Sequence, residues 1–265
     1  MKIQQQNVPL LVAVIAVMAS PCAIAESWDV TQTTTVTDTA TGITQNGVSA
    51  NSIQAVNAIN LNGTTGEIGT ASQTFETPAD HNITLIQQSS TTASDQAINR
   101  AYAHTITDLT QEVTLSGTPT IHLKQQATAQ GNNTQAINQA LITNDATAVI
   151  SKLEQNVSFD ATTFKMDQTS PAEENIQAGN LIQAGTVSAT AGDITQNITV
   201  DMARVVQENT SKSIQAPNAL VTLDSGTGGS IAQSFEGTFF GSTYALRQTT
   251  ANNSVQALNF AGEAI

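Results

Sequence analysis

The chain has 265 residues, of which 11% are charged and 4% aromatic; 8 Lys and Arg stand against 21 Asp and Glu, a formal charge of −13. This balance opposes binding to nucleic acid and to anionic membranes, both of which demand clustered cations. Thr, Gln, Asn, Ala and Ser dominate, and the β-branched content argues against disorder.

Residues 1–7 carry Lys2, an apolar run spans 8–19, and Ala23-Ile24-Ala25 supplies the small residues that a signal peptidase reads. This predicts a secretory signal peptide over 1–25. The run is too short to span a bilayer as a permanent helix, so stable membrane insertion is not expected. Cys22 follows Pro21, where a lipoprotein signal has a small residue, which argues against lipidation. Cleavage after Ala25 leaves 240 residues with no cysteine, 7 basic and 21 acidic side chains, and a charge of −14. Such a chain is held by backbone pairing and packing rather than by disulfides. The expected location is extracellular or at the cell surface of a Gram-negative bacterium, reached through the periplasm.

The rest of the chain repeats. Gln-Ala-x-Asn occurs six times, starting at Gln54, Gln96, Gln135, Gln177, Gln215 and Gln256, with steps of 42, 39, 42, 38 and 41. A fixed period of this size marks a stacked architecture. Each repeat resolves into three segments of period-two alternation, the signature of strands. The first reads apolar-x-Gln-x-(apolar or Thr) and is centred on Gln32, Gln73, Gln111, Gln155, Gln196 and Gln233. The second reads apolar-x-apolar-x-Gln and ends at Gln45, Gln87, Gln125, Gln168, Gln207 and Gln248. Its fifth copy is Ala203-x-Val205-x-Gln207, its last is Tyr244-x-Leu246-x-Gln248, and in its first, Thr41-x-Ile43-x-Gln45, one position is degraded. The third holds the tetrapeptide, with Asn57, Asn99, Asn138, Asn180, Asn218 and Asn259. Polar stretches such as 62–69, 77–82, 116–120 and 224–230 separate the strands.

The predicted fold is all-β, a β-solenoid of six units of about 40 residues filling 26–265, three short strands each. Strands of successive units would lie about 4.8 Å apart, so like residues align in columns. An isolated buried amide costs about 1–3 kcal/mol. In a column each amide finds a neighbour on either side, so the three sets of Gln and Asn above are predicted to form inward ladders. Strict alternation puts Ala55, Asn57, Ile59 and their counterparts inside, and the tetrapeptide Gln outside with Arg100, Tyr102 and Gln139. A β-sandwich of tandem hairpins with surface amides is the alternative fold.

The pattern apolar-x-apolar-x-Gln, a polar turn and an Ala-containing strand resembles the curlin repeat of bacterial curli. Ile43-Thr44-Gln45-Asn46-Gly47 with Asn51, and Leu246-Arg247-Gln248 with Asn253, carry the likeness. It covers roughly half of each unit and departs in its longer period and in lacking most of the Gly-rich turn. The resemblance implies a secreted subunit that polymerises into extracellular amyloid fibres of the biofilm matrix. The expected partners are further copies of the chain, joined end to end, and with them a nucleator or an outer-membrane export apparatus.

Catalytic motifs do not emerge. His81, His104 and His122 match no metal spacing, and His122 reads as a solvated outward side chain. There is no Gly-x-Ser-x-Gly, no phosphate-binding loop and no cysteine nucleophile in the mature chain. Asp224-Ser-Gly-Thr-Gly-Gly-Ser230 reads as a loop, and Glu173-Glu174 would face opposite ways on a strand. No enzyme, cofactor or metal is expected. A monomeric adhesin or an ice- or surface-binding solenoid is the alternative function, suggested by Thr31, Thr33, Thr35, Thr195 and Thr199, although Glu154, Asn156, Ser234 and Glu236 interrupt that array.

Overall fold

The computed structural model describes residues 27–36, 43–47, 53–61, 65–77, 82–87, 94–117, 119–125, 133–142, 148–160, 163–168, 175–188, 193–201, 204–209, 213–227, 231–238, 245–248 and 254–263. Within them the chain is all-β with parallel strands and no helix. The expected signal peptide, His81, Ala203, Tyr244 and Glu173-Glu174 lie outside the described residues.

The first repeat contributes β1 (Ser27–Thr35), β2 (Ile43–Gly47) and β3 (Ile53–Asn60). The second contributes β4 (Glu67–Thr77), β5 (Ile83–Gln87) and β6 (Asp95–Ala103), and the third β7 (Thr105–Leu115), β8 (Thr120–Gln125) and β9 (Thr134–Ile142). The fourth adds a short β10 (Val149–Ile150) before β11 (Lys152–Asp160), β12 (Thr163–Gln168) and β13 (Asn175–Ser188). The fifth has β14 (Asp193–Asp201), β15 (Arg204–Asn209) and β16 (Ser213–Thr227). The sixth has β17 (Ile231–Thr238), β18 (Ala245–Gln248), β19 (Val255–Gln256) and β20 (Asn259–Glu263).

Each strand pairs with its equivalent one repeat away, not with its neighbour in the chain. The first strands form the sheet β1-β4-β7-β11-β14-β17, the second strands β2-β5-β8-β12-β15-β18, and the third strands β3-β6-β9-β13-β16, with β19 and β20 both on β16. Every pairing is parallel, as it must be when the chain crosses two other sheets before returning. The first sheet keeps Gln32, Gln73, Gln111, Gln155, Gln196 and Gln233 in one register line. At its start β4 bulges and turns at Gly69-Thr70, which together face Asp29 between the pairs Trp28↔Ile68 and Val30↔Ala71, and Asp29 Oδ1 accepts from the Thr70 amide at 2.7 Å. Gly69 leaves room for that turn, because a Cβ there would run into Ser27 Oγ.

Three expectations shift. Residues 224–227, read as part of a polar turn, continue β16, because their backbone pairs with β13 through Thr186↔Asp224 and Ser188↔Thr227. In the second sheet Gln87, Gln125 and Gln168 are in line, but Gln45 lies opposite Leu85, and Gln207 opposite Met166 and Leu246. Gln248 accordingly stands opposite Asn209. Each slip is two residues, which preserves which side chains face inward. In backbone register the slips set Ile43 opposite Ile83 and Val205 opposite Phe164.

The third correction concerns the third strand. Pairing skips position x of the tetrapeptide in successive repeats, jumping from Ala55↔Ala97 to Asn57↔Asn99 and from Ala178↔Ala216 to Asn180↔Asn218. The strand turns a corner there, so strict alternation fails. Position x and the following Asn both face inward, and the tetrapeptide Gln faces inward with them. Ala97, Ala136, Ala178 and Ala216 therefore face out, opposite to the expectation from unbroken period two.

Two apolar compartments result. Ile98 and Ile137, at position x, pack with Phe75, Val113, Leu85 and Leu123 from the other two sheets. Beyond the Asn, Ile59, Ala101, Ala140 and Ile182 pack with Ile68, Leu109 and Leu153 of the first sheet. The amides stand at the boundaries of the first compartment.

Candidate functional site

The most specific feature of the molecule is a set of buried amides that bond along the stack. In the first sheet each Gln donates to the one before it: Gln73 to Gln32, Gln111 to Gln73 and Gln155 to Gln111, each at 2.7 Å. Gln196 continues to Gln155 at 2.8 Å and Gln233 to Gln196 at 2.7 Å. The Asn residues bond in the opposite sense: Asn57 donates to Asn99 (2.8 Å), Asn99 to Asn138 (2.9 Å) and Asn138 to Asn180 (3.0 Å). Asn180 donates to Asn218 (2.9 Å), and Asn218 to Asn259 (2.8 Å).

The tetrapeptide Gln, expected on the surface, makes a row of its own. Gln96 donates to Gln54 at 2.6 Å, Gln135 to Gln96 at 2.9 Å and Gln177 to Gln135 at 2.8 Å. Gln215 reaches Gln177 at 2.8 Å and Gln256 reaches Gln215 at 2.9 Å. In the second sheet Gln125 donates to Gln87 at 2.8 Å and Gln168 to Gln125 at 2.7 Å. The out-of-register Gln207 is buried and reaches the backbone of Ala257 at 3.1 Å. Nothing is described of the side chains of Gln45 and Gln248.

The second amide hydrogen of each side chain spans the interior. First-sheet Gln73 and Gln111 donate to the carbonyls of Arg100 and Gln139, one residue past the Asn. In return Asn99 and Asn138 donate to the carbonyls of Glu112 and Asn156, one residue past the first-sheet Gln. The same exchange joins the second and third sheets. Gln87 donates to Ser94 and Thr134 carbonyls, while Gln96, Gln135 and Gln177 donate to those of Ile86, Lys124 and Asp167. The tetrapeptide thus supplies one amide to each partner sheet. Carbonyls and amides that would otherwise be buried without partners are mutually satisfied.

The first repeat breaks the pattern at one place. Thr34 occupies a position held elsewhere by Phe75, Val113, Val157, Ile198 and Phe235, and its hydroxyl donates to Asn57 Oδ1 at 2.8 Å. Asn57 has no earlier Asn to donate to it, and Thr34 fills that role.

Polar groups also gather on two outward faces. On the third sheet Arg100 Nη2 lies 2.7 Å from Asp95 Oδ2, and its guanidinium carbon is 5.7 Å from the Tyr102 ring centre. Thr134 donates to the same Asp95, and Gln139 donates to Thr134 at 2.6 Å. Arg100 and Gln139 thus face out as expected, but both are buried. On the second sheet Asp167 Oδ2 lies 3.3 Å from Lys165 Nζ and 3.8 Å from His122 Nε2. His122 is therefore half-buried beside a carboxylate rather than simply solvated. Burial raises the Asp167 carboxyl, yet the neighbouring His122 and Lys165 together outweigh it and hold the group below the ordinary Asp value. His104 is buried elsewhere, at the turn between β6 and β7. Among the described residues no group of three or more His, Cys, Asp or Glu could hold a metal ion.

No protein-family model, curated protein or solved structure matches the chain.

Proposed function

We propose that the chain is a six-coil β-solenoid whose Gln and Asn ladders make it a secreted structural subunit of an extracellular, functional-amyloid-like fibre or biofilm matrix. Copies add end to end, the last coil of one molecule receiving the first coil of the next. The carrying observation is that every strand pairs in parallel with its equivalent one repeat away, in constant register along the first sheet, with β1, β2 and β3 outermost at one side of the sheets and β17, β18 and β19/β20 at the other. Open strand edges of this kind invite another chain to pair.

The polarity of the side-chain rows supports a single direction of growth. Three rows donate toward the first repeat and the Asn row donates toward the last. A head-to-tail junction continues the first-sheet Gln row, the tetrapeptide Gln row and the Asn row, placing Gln233 under Gln32 and Asn259 under Asn57 of the next copy. A head-to-head junction would oppose like groups. Partners on this reading are further copies of the chain, together with a nucleator or outer-membrane export apparatus, in the extracellular space of a Gram-negative bacterium.

A monomeric adhesin or surface-binding solenoid is the second reading. Thr34 favours it, because a hydroxyl that ends the Asn row resembles the caps of solenoids that stay single. Electron microscopy and fibre diffraction of the exported protein separate the two. The fibre reading expects filaments with reflections at about 4.8 Å along the axis and about 10 Å across it. Compact particles alone, after prolonged incubation at high concentration, would exclude it.

A further inference from the structure

The charged residues of the strands are segregated by sheet. Four of the seven basic residues that follow Ala25 lie on second strands: Lys124, Lys165, Arg204 and Arg247, one in each of the last four repeats. Arg204 stands in register with Thr163, and Arg247 with Glu208, itself in register with Asp167 and so with Lys124, which gives all four cations one parity. The face reaches solvent: Lys124 is half-buried, and His122 and Lys165 expose 26% and 29% of their side chains. The first sheet is the opposite. Its outward positions carry Glu76, Glu112, Glu154, Asp201 and Glu236, one acid in each of five successive repeats, and all but the half-buried Glu154 are exposed. Its Lys152 is already held by Asp108 at 3.0 Å.

We propose that the basic outward face of the second sheet docks on the acidic outward face of the first sheet of a second copy, the two solenoids lying side by side. Charge complementarity specifies the sign of the occupant, and the axial repeat specifies its identity. Both faces present one charge per coil at steps of about 4.8 Å, so a pairing made at one coil recurs at the next. A second copy has that period because it is the same stack. The two molecules carry like net charge, but at physiological salt the Debye length is about 8 Å, so repulsion between whole molecules is screened while groups in contact still attract.

The contact joins unlike faces, so it is heterologous and leaves one basic and one acidic face of the pair open to further copies. Six strands at about 4.8 Å and about five residues at about 3.3 Å give the second sheet roughly 500 Å² of face. A total of about 1,000 Å² buried is the lower limit of a specific interface. A single pair is therefore weak, and stacked molecules, which repeat the contact along an axis, hold one another more firmly. The contact uses outward side chains and leaves the open strand edges untouched, so it does not depend on the end-to-end reading.

The test is zero-length carbodiimide cross-linking, which joins a lysine to a carboxylate in direct contact, on an equal mixture of isotopically light and heavy exported, processed protein at high micromolar concentration. The expected result is mixed-isotope links from Lys124 or Lys165 to Glu76, Glu112 or Glu154. Their absence from both the soluble and any filamentous fraction would overturn the proposal. Charge reversal gives a second measurement. Lys124→Glu with Arg204→Glu, and Glu112→Lys with Asp201→Lys, the acids of the same two repeats, should each weaken lateral association about tenfold or more by sedimentation. An equal mixture of the two variants should recover it, because the reversed faces complement each other. Association that survives either reversal in a variant with unchanged β circular dichroism, or that the mixture does not recover, would also overturn the proposal; if a variant fails to fold, the wild-type link map decides. Protection of the second sheet by added heparin, without links between copies, would assign the face to an anionic polymer and overturn it likewise. Filament formation, read separately by microscopy, bears only on the end-to-end reading.

Discussion

Gln73 and Asn99 brace the same gap from opposite sides. Gln73 Nε2 donates to the Arg100 carbonyl at 3.0 Å, and Asn99 Nδ2 donates to the carbonyl of Gln73 itself at 3.2 Å. Each side chain thus satisfies backbone on the other's strand while also bonding its own kind one repeat away. Removing either one leaves several buried groups without partners. The energetic consequence is larger than that of one lost hydrogen bond, because the penalty lies in the desolvated groups left behind.

Asn138 and Gln139 test this directly, because they are adjacent and face opposite ways. Asn138 donates to the Asn156 carbonyl at 3.0 Å and to Asn180 at 3.0 Å, and accepts from Asn99 at 2.9 Å. Asn138→Leu is expected to cost about 3 kcal/mol or more, from two or more orphaned groups at about 1–3 kcal/mol each. Gln139 contacts Thr134 on the outward face, and Gln139→Leu is expected to cost about 1 kcal/mol. Chemical denaturation of the two variants should preserve that order; equal losses would mean the Asn row carries no special weight.

Gln135→Leu separates what the sequence made legible from what it did not. Period-two alternation locates the strand, and the Asn is inward on the same parity as Ile59 and Ile182. The tetrapeptide Gln escapes that logic because pairing skips position x, so Gln135 and Asn138 face the same interior although three residues apart. A hint was available: an amide kept in all six copies, beside a position x that is Val56, Ile98 or Ile137 in three copies and the bend-forming Gly179 or Pro217 in two. The register slips of Gln45 and Gln207 were not legible, since a two-residue shift leaves the inward pattern unchanged. Surface placement of Gln135 would make the Leu variant nearly neutral. With its bonds to Lys124 (3.0 Å) and Gln96 (2.9 Å), a loss of about 2–3 kcal/mol is expected in thermal or denaturant melts.

Thr34→Val keeps the shape of the side chain and removes only the hydroxyl that ends the Asn row. The expected loss is about 1 kcal/mol, confined to the first repeat. Amide hydrogen exchange should show faster opening of β1 and β3 with no change in β9 or β13. A global change spread evenly over all repeats would contradict an end-capping role.

Asp167 gives the fold a specific acid sensitivity. Its folded carboxyl titrates below the unfolded value of about 3.9, so it stabilises the fold above that pH, and the contribution is lost as pH falls through the lower folded value. Asp167→Asn removes the contribution, at most about 1 kcal/mol for such a partly solvated cluster. The melting-temperature gap between wild type and variant should therefore be steady from about pH 7 to about pH 5 and close below about pH 4. A variant more stable than wild type at pH 7, with the difference vanishing in acid, would mean the carboxyl is held up by burial rather than down by Lys165 and His122.

Gly179 tests the corner itself. It occupies position x in the fourth repeat, where a Cβ would collide with Ile198 Cδ1 and come within 2.9 Å of the Pro217 carbonyl oxygen. Ile198 is fully buried on the first sheet, so the clash arises only if residue 179 points into the interior. Gly179→Ala is then an overpacking substitution costing about 1–3 kcal/mol. Ile198→Val removes the colliding methyl, and in the Gly179→Ala background it should recover part of the loss although it destabilises the wild type on its own. That opposite sign in a double-mutant cycle is the diagnostic, because independent sites would simply add. Additive losses would place residue 179 away from Ile198, returning the tetrapeptide Gln to the surface and removing the inward turn on which the Gln row depends.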